Sequence, residues 1–309
     1  VSKPIFIFVV GPTATGKTQL ALRLAKKLKW PIINCDSLQV YKFVDIGTAK
    51  PTLEEKQGVP HFLFDYVAPP RTLTVADYVK DVVACIQTQK ITHAVFVGGS
   101  GFYVQALEKG LYPHAKATEP VIEEVEDWIK REGFPALYRW IQQRDPAFSQ
   151  KISENDHYRI QRAVQVMKSQ SQTMTALKDQ MASRSYSELP DHYKIKVGLN
   201  DTRECLRPRV KKRSVSMLER GLVAETQSLL DQGLAEWPPL KSVGYKETQF
   251  FLKNGGSEAQ LIESIVTSTM QLIKKQQTWF QRNKDIQWFR PDQIQEASAW
   301  TLEHLQDLS

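Results

Sequence analysis

The chain has 309 residues, 41% of them hydrophobic, which is enough for a large core in one elaborated domain or two and excludes a small stapled scaffold. Lysine and arginine number 41 against 34 acidic residues, and the resulting net charge of +7 permits an anionic partner without requiring one. Cys35, Cys85 and Cys205 form no CxxC pair and have no histidine at ligand spacing, which argues against a thiolate metal site and for a reducing, cytoplasmic compartment.

Ile5 to Val10 is a continuous β-prone run, too short to span a membrane and without a signal-peptide cleavage pattern, so no membrane association is expected. It reads as a buried first strand. A glycine-rich turn follows, and then Gln19 to Lys29, where Leu20, Leu24 and Leu28 recur at helical spacing. Pro31 to Asn34 supplies a second strand ending at Cys35-Asp36. Val75 to Gln89 reads as a helix, and Ala94 to Val97 as a strand ending at Gly98-Gly99. This alternation is that of a parallel α/β sheet. After Pro113 the text turns charged and helical, with Val121 to Glu132, Pro135 to Arg144 and Asp156 to Ser169 and no convincing strand. An inserted helical subdomain over 115–190 is expected, closed by the polar stretch Ser183 to Pro190, with 1–114 and 191–309 forming the core. Tyr193 to Leu199 returns as a strand. Arg207 to Glu219, Ala224 to Asp231 and Glu258 to Phe280 read as helices, and Ile286 to Phe289 as a last short strand. No repeat at a fixed period and no low-complexity segment is present.

Gly11-Pro12-Thr13-Ala14-Thr15-Gly16-Lys17-Thr18 matches G-x-x-x-x-G-K-[ST] at every fixed position, between the strand and helix that the motif requires. Such a loop turns backbone N–H groups onto phosphate oxygens, Lys17 neutralises charge, and the Thr18 hydroxyl can hold Mg²⁺. The expected fold is therefore a P-loop NTPase-like parallel sheet flanked by helices, with the helical insertion. The phosphate compound is left open. A nucleoside triphosphatase would place a metal-holding aspartate at the end of a further hydrophobic strand, but Ala94 to Val97 runs into Gly98-Gly99-Ser100-Gly101 instead. Asp36 is the aspartate at a strand end; its position suits a base acting on an acceptor, or equally a side chain that caps a turn.

Read together, the loop Gly11 to Thr18, Asp36-Ser37-Leu38-Gln39-Val40-Tyr41, Asp45 to Pro51, Pro60-His61 and Gly98 to Tyr103 resemble the tRNA dimethylallyltransferase family, in that order. Val243 to Glu247 and Gln276 to Phe280 extend the likeness over nearly the whole chain. The resemblance implies that the loop (Gly11, Thr13, Ala14, Thr15, Gly16, Lys17, Thr18) binds the diphosphate of dimethylallyl diphosphate with Mg²⁺. The exocyclic N6 of the adenosine 3′ of the anticodon then attacks the prenyl carbon, and diphosphate leaves. Asp36 accepts the amine proton as general base, while Lys17 and Thr18 stabilise the leaving group. Ser100 stands where the family has threonine; it reads as a contact to the reacting groups or as a helix N-cap.

An adenine in a stacked loop must be extruded to reach an enclosed donor, so the resemblance also implies RNA contacts. Ser37, Leu38 and Gln39 follow the expected base. Tyr158, Arg159, Ile160, Gln161 and Arg162 match the family's tRNA-contacting patch in the insertion, although by residue type alone they read as a solvated charged face. Gly244, Tyr245, Lys274, Lys275, Gln276 and Trp279 complete the expected tRNA set, with Trp279 open to a core reading. In the basic cluster from Arg203 to Arg213, Arg209 and Arg213 match family arginines, and Arg209 is taken as the diphosphate contact. Met270, Lys275, Gln281 and the pair His157-Tyr158 depart from the family pattern, which weakens the expected guanidinium contacts. The six histidines do not cluster, so no structural metal is expected, and the protein is expected to be monomeric. A small-metabolite kinase is the alternative enzyme; an RNA-binding module with a vestigial phosphate site is a third reading.

Overall fold

β1 (Ile5–Val10) is buried at every position, as a strand covered on both faces of a parallel sheet must be. In this computed structural model, which describes residues 3–111, 117–182 and 187–307, β1 pairs with β4 (His93–Gly98) on one side and β5 (Tyr193–Leu199) on the other. β2 (Ile32–Asn34) lies outside β4, β3 (His61–Phe62) outside β2, and β6 (Gln287–Phe289) outside β5. The strand order is β3-β2-β4-β1-β5-β6, all parallel. The carboxyl ends of β1, β2 and β4 therefore open onto one edge, where parallel sheets bind ligands.

The helix Lys17–Leu28 buries Leu20, Ala21, Leu24 and Ala25 against the sheet, alongside Val9, Val95, Val197 and Ala297. A second apolar cluster joins Val40, Tyr41 and Val44 to Met217, Leu222, Leu229 and Tyr245. It ties the segment after β2 to the later helices Arg203–Glu219, Leu222–Asp231 and Tyr245–Asn254. Among the described residues no helix is long and apolar enough to cross a membrane.

The chain divides into two compact units, Val1–Ala106 with Glu188–Ser309, and Leu107–Ser187. The second has its own core, in which Val125, Leu137, Ile141, Ile160 and Val164 are buried. Its long helical segment Glu119–Arg144 is broken at Gly133 (φ 73°), two residues before Pro135, as the separate helices expected from the sequence require. The expected boundary at 114/115 and part of the stretch Ser183 to Pro190 lie outside the described residues. Helices Gly101–Lys109, Met174–Ala182, Tyr245–Asn254 and Ile294–Gln306, and the two-residue β3, were not foreseen.

Candidate active site

β1 delivers the chain into the phosphate loop. A Cβ on Gly11 would stand 2.2 Å from the Leu199 carbonyl oxygen at the end of β5, so only glycine can turn there. Ala14 and Gly16 are both left-handed (φ 63° and 90°), and such turns aim successive N–H groups toward one point. The loop holds its own shape: Thr15 is buried and its hydroxyl donates to the Pro12 carbonyl at 2.9 Å. The Lys17 ammonium donates to the same carbonyl. Desolvation holds the Lys17 pKa down to about 7; the nearby Asp36 carboxylate raises it and the Arg213 guanidinium lowers it further. Thr18 is exposed at the mouth of the loop.

Asp36 follows β2 in a turn fixed by Asn34. The Asn34 amide oxygen accepts from Asp36 N–H at 2.9 Å, and its NH₂ donates to the carbonyls of Asp36 and Leu63. An Asp36 carboxylate oxygen accepts from Leu38 N–H at 2.9 Å, which is the turn-capping contact. The turn lies close against β4, because a Cβ on Gly98 would come within 2.1 Å of the Cys35 carbonyl oxygen.

Two cavities meet at this aspartate. One, of about 70 Å³, is lined by Lys17, Thr18, Asp36, Gln39, Gly99 and Arg213 among others. The other, of about 270 Å³, is lined by Asp36, Leu38, Met217, Gly244, Ile265 and Leu272 among others. Thr13, Asp36, Thr48, Arg213 and Gln276 border both. A water takes about 10–15 Å³ of such space; the first cavity suits a compact anion and the second a ring system.

Several expected site residues sit elsewhere or act otherwise. Arg209 is exposed and borders neither cavity. Arg213, one helical turn later, lines both cavities and donates to Thr13 Oγ1 at 2.9 Å and to the Thr48 carbonyl at 3.4 Å. Burial lowers the Arg213 pKa, with Asp36 opposing. Ser100 also borders neither cavity: its hydroxyl accepts from Ser37 N–H at 2.9 Å and donates to Ser37 Oγ at 3.1 Å. It ties the Asp36 turn to the end of β4.

The Gln39 amide donates to the carbonyls of Thr48 and Ala49 while the residue lines the smaller cavity. Gln276 bridges the phosphate loop to the Gly99 turn, accepting from Thr13 N–H and donating to the Gly99 carbonyl, both at 3.0 Å. Tyr245 is fully buried with its hydroxyl on Glu225, which rules out side-chain contact with RNA. Trp279 is half-buried against Gly101 and edge-on to the exposed Phe102. Lys274 and Lys275 are exposed, and Gly244 borders the larger cavity.

In the helical unit, Tyr158 is 79% exposed and Arg159 is exposed beside Asp156, whereas Ile160 is wholly buried in that unit's core. Periodicity explains this: with Arg159 and Arg162 on an outer face, Ile160 must point inward. Gln161 and Arg162 are half-buried. Thr48 and Glu225 escaped the sequence reading, although Thr48 lies within the Asp45 to Pro51 segment that carried part of the resemblance.

Comparison with known proteins places the chain in a family. The chain is 45% identical over 290 residues to the tRNA dimethylallyltransferase of Bdellovibrio bacteriovorus, covering 92% of each. It superposes on the tRNA isopentenylpyrophosphate transferase of Bacillus halodurans with a TM-score of 0.71 and 29% identity, over 99% and 98% of the two chains. A eukaryotic dimethylallyltransferase acting on tRNA shares the fold, with a TM-score of 0.79 and 23% identity over 93% of this chain and 74% of that one. None of these relatives is a kinase. The IPP transferase family model matches residues 39–283, a span that begins three residues after Asp36 and takes in Gln276, and the chain belongs to that family.

Proposed function

We propose that the protein is a tRNA dimethylallyltransferase, moving the dimethylallyl group of dimethylallyl diphosphate onto N6 of the adenosine 3′ of the anticodon, with release of diphosphate. The observation that carries this reading is the junction at Asp36, where a small cationic cavity built on the phosphate loop meets a larger, more apolar one. The donor diphosphate takes the first, against Lys17, Arg213 and the loop N–H groups, and the flipped adenine takes the second. Bond formation at the prenyl carbon then falls beside a carboxylate. Asp36 accepts the N6 proton as the amine bonds to carbon, while Lys17 and Arg213 take up the charge that grows on the departing diphosphate.

Magnesium fits this donor set. Thr18 and Asp36 line the same cavity, and Mg²⁺ is usually held by one or two protein oxygens together with phosphate oxygens and water. Among the described residues no group of three or more His, Cys, Asp or Glu could hold a metal without such help. Bound there, Mg²⁺ would supply further charge neutralisation on the diphosphate. The helix face carrying the exposed Tyr158 and Arg159 and the half-buried Arg162 is proposed to contact tRNA. We take the protein to act as a monomer, and tRNA as substrate makes the cytoplasm the proposed compartment.

The reading is tested by following diphosphate release from dimethylallyl diphosphate with and without unmodified tRNA, and with ATP in place of the donor. Release should need both tRNA and the prenyl donor. ATP turnover independent of tRNA would instead support a kinase.

A further inference from the structure

We propose that Glu225 is a positioning residue for this transfer, acting through the loop Asp45 to Lys50 on the guanidinium that meets the donor diphosphate; the inference rests on the functional reading above. Glu225 lies on the helix Leu222–Asp231 and borders neither cavity. Its carboxylate accepts from three consecutive backbone N–H groups, those of Asp45 at 3.0 Å, Ile46 at 2.9 Å and Gly47 at 3.2 Å. The Tyr245 hydroxyl donates to it at 2.5 Å while accepting from Gly47 N–H at 3.2 Å. Burial and the adjacent carboxylate hold the Tyr245 pKa far above the ordinary phenol range, so it stays a donor. A Cβ on Gly47 would meet the Tyr245 ring at 2.5 Å. The loop and the aromatic ring thus fit only in this arrangement.

The next residue carries the effect into the site. The Thr48 carbonyl accepts from Arg213 at 3.4 Å and from Gln39 at 3.0 Å, and Arg213 spans from there to Thr13 of the phosphate loop. Three N–H groups bound to one carboxylate fix the direction of the following peptide, and that peptide is the shelf on which the guanidinium rests. Charge-assisted hydrogen bonds of this kind are the strong ones. Without the carboxylate, Arg213 keeps its charge but loses its placement.

The test measures binding of inorganic diphosphate with Mg²⁺ by calorimetry, alongside donor KM and single-turnover rate, for wild type, Glu225→Ala, Glu225→Gln and Leu229→Ala. Leu229 is buried on the same helix in the second apolar cluster and controls for lost stability. Glu225→Ala should weaken diphosphate binding and raise donor KM by about 10- to 100-fold, the range for lost hydrogen bonds to a charged group. Glu225→Gln, which keeps one acceptor oxygen, should fall between. Leu229→Ala should lower the melting temperature with diphosphate affinity near wild type. Wild-type diphosphate affinity in Glu225→Ala, or a loss no larger than that of Leu229→Ala, overturns the proposal. A wild-type protein that binds diphosphate but transfers no prenyl group overturns the functional reading alone, because the Glu225 comparison is made on diphosphate binding.

Discussion

Asp36, Lys17 and Arg213 form a charge set in which each side chain sets the condition of the others. The carboxylate supports both cations, and each cation sits where burial disfavours its charge. For Lys17 the sign of the pH effect follows from linkage. Its folded pKa, about 7, lies below the ordinary value of 10.5, so between those limits the unfolded chain binds more protons and stability rises with pH. Below pH 7 both states hold the proton, and the full cost of burying the ammonium is present. Lys17→Met should therefore raise the melting temperature of the ligand-free protein at pH 6, with the gain shrinking toward pH 9, while abolishing diphosphate binding. Calorimetric melting across that range checks it; a gain that grows with pH would contradict the assignment. Asp36→Asn should leave both substrates bound and lower the single-turnover rate by about 10²- to 10⁴-fold, the usual worth of a general base. Recovery to near the wild-type rate at saturating tRNA, donor and Mg²⁺ would show that Asp36 only binds.

At the scale of elements, the site depends on close approach between strand ends and turns. Gly98 and Gly101 admit the Cys35 carbonyl and the Trp279 indole, where an added Cβ would stand within 2.1 Å of each. Gly98→Ala should thus cost about 1–3 kcal/mol or more, as overpacking does, and should displace Asp36 as well. Denaturant unfolding together with the transfer rate tests this, since the collision is with backbone and cannot be relieved by a rotamer change. The strands and long helices were legible in the sequence because their signals are local: a fully apolar run for β1, helical leucine spacing after the loop, and a Gly133–Pro135 break between two helices. β3 was not, because two residues held only by pairing to β2 carry no periodicity. The helix Tyr245–Asn254 was read as a motif and not as an element, since its opening residues carried the family likeness.

For the whole molecule, the phosphate loop and Asp36 could be read from sequence because motif and strand-end placement are local properties. The partners of these residues could not. Arg213 and Arg209 are indistinguishable by residue type, and only the turn of the helix decides which faces Thr13. The Glu225 contacts span about 180 positions, beyond any spacing rule. Charge acts at this scale too. With a net charge of +7, tRNA affinity should fall steeply with salt, and Arg159→Ala should weaken binding and flatten the log–log slope by about 0.7–0.9 if it meets one phosphate. Identical affinities across a salt series would remove Arg159 from the RNA contact.

The most direct measurement is incubation of the purified protein with labelled dimethylallyl diphosphate, Mg²⁺ and unmodified tRNA, followed by digestion and mass analysis of the nucleosides. The account predicts one labelled five-carbon group on N6 of the adenosine 3′ of the anticodon, formed in step with diphosphate release and nearly lost in Asp36→Asn. Unlabelled tRNA from wild-type protein that binds both substrates, or label on another nucleoside, would contradict it.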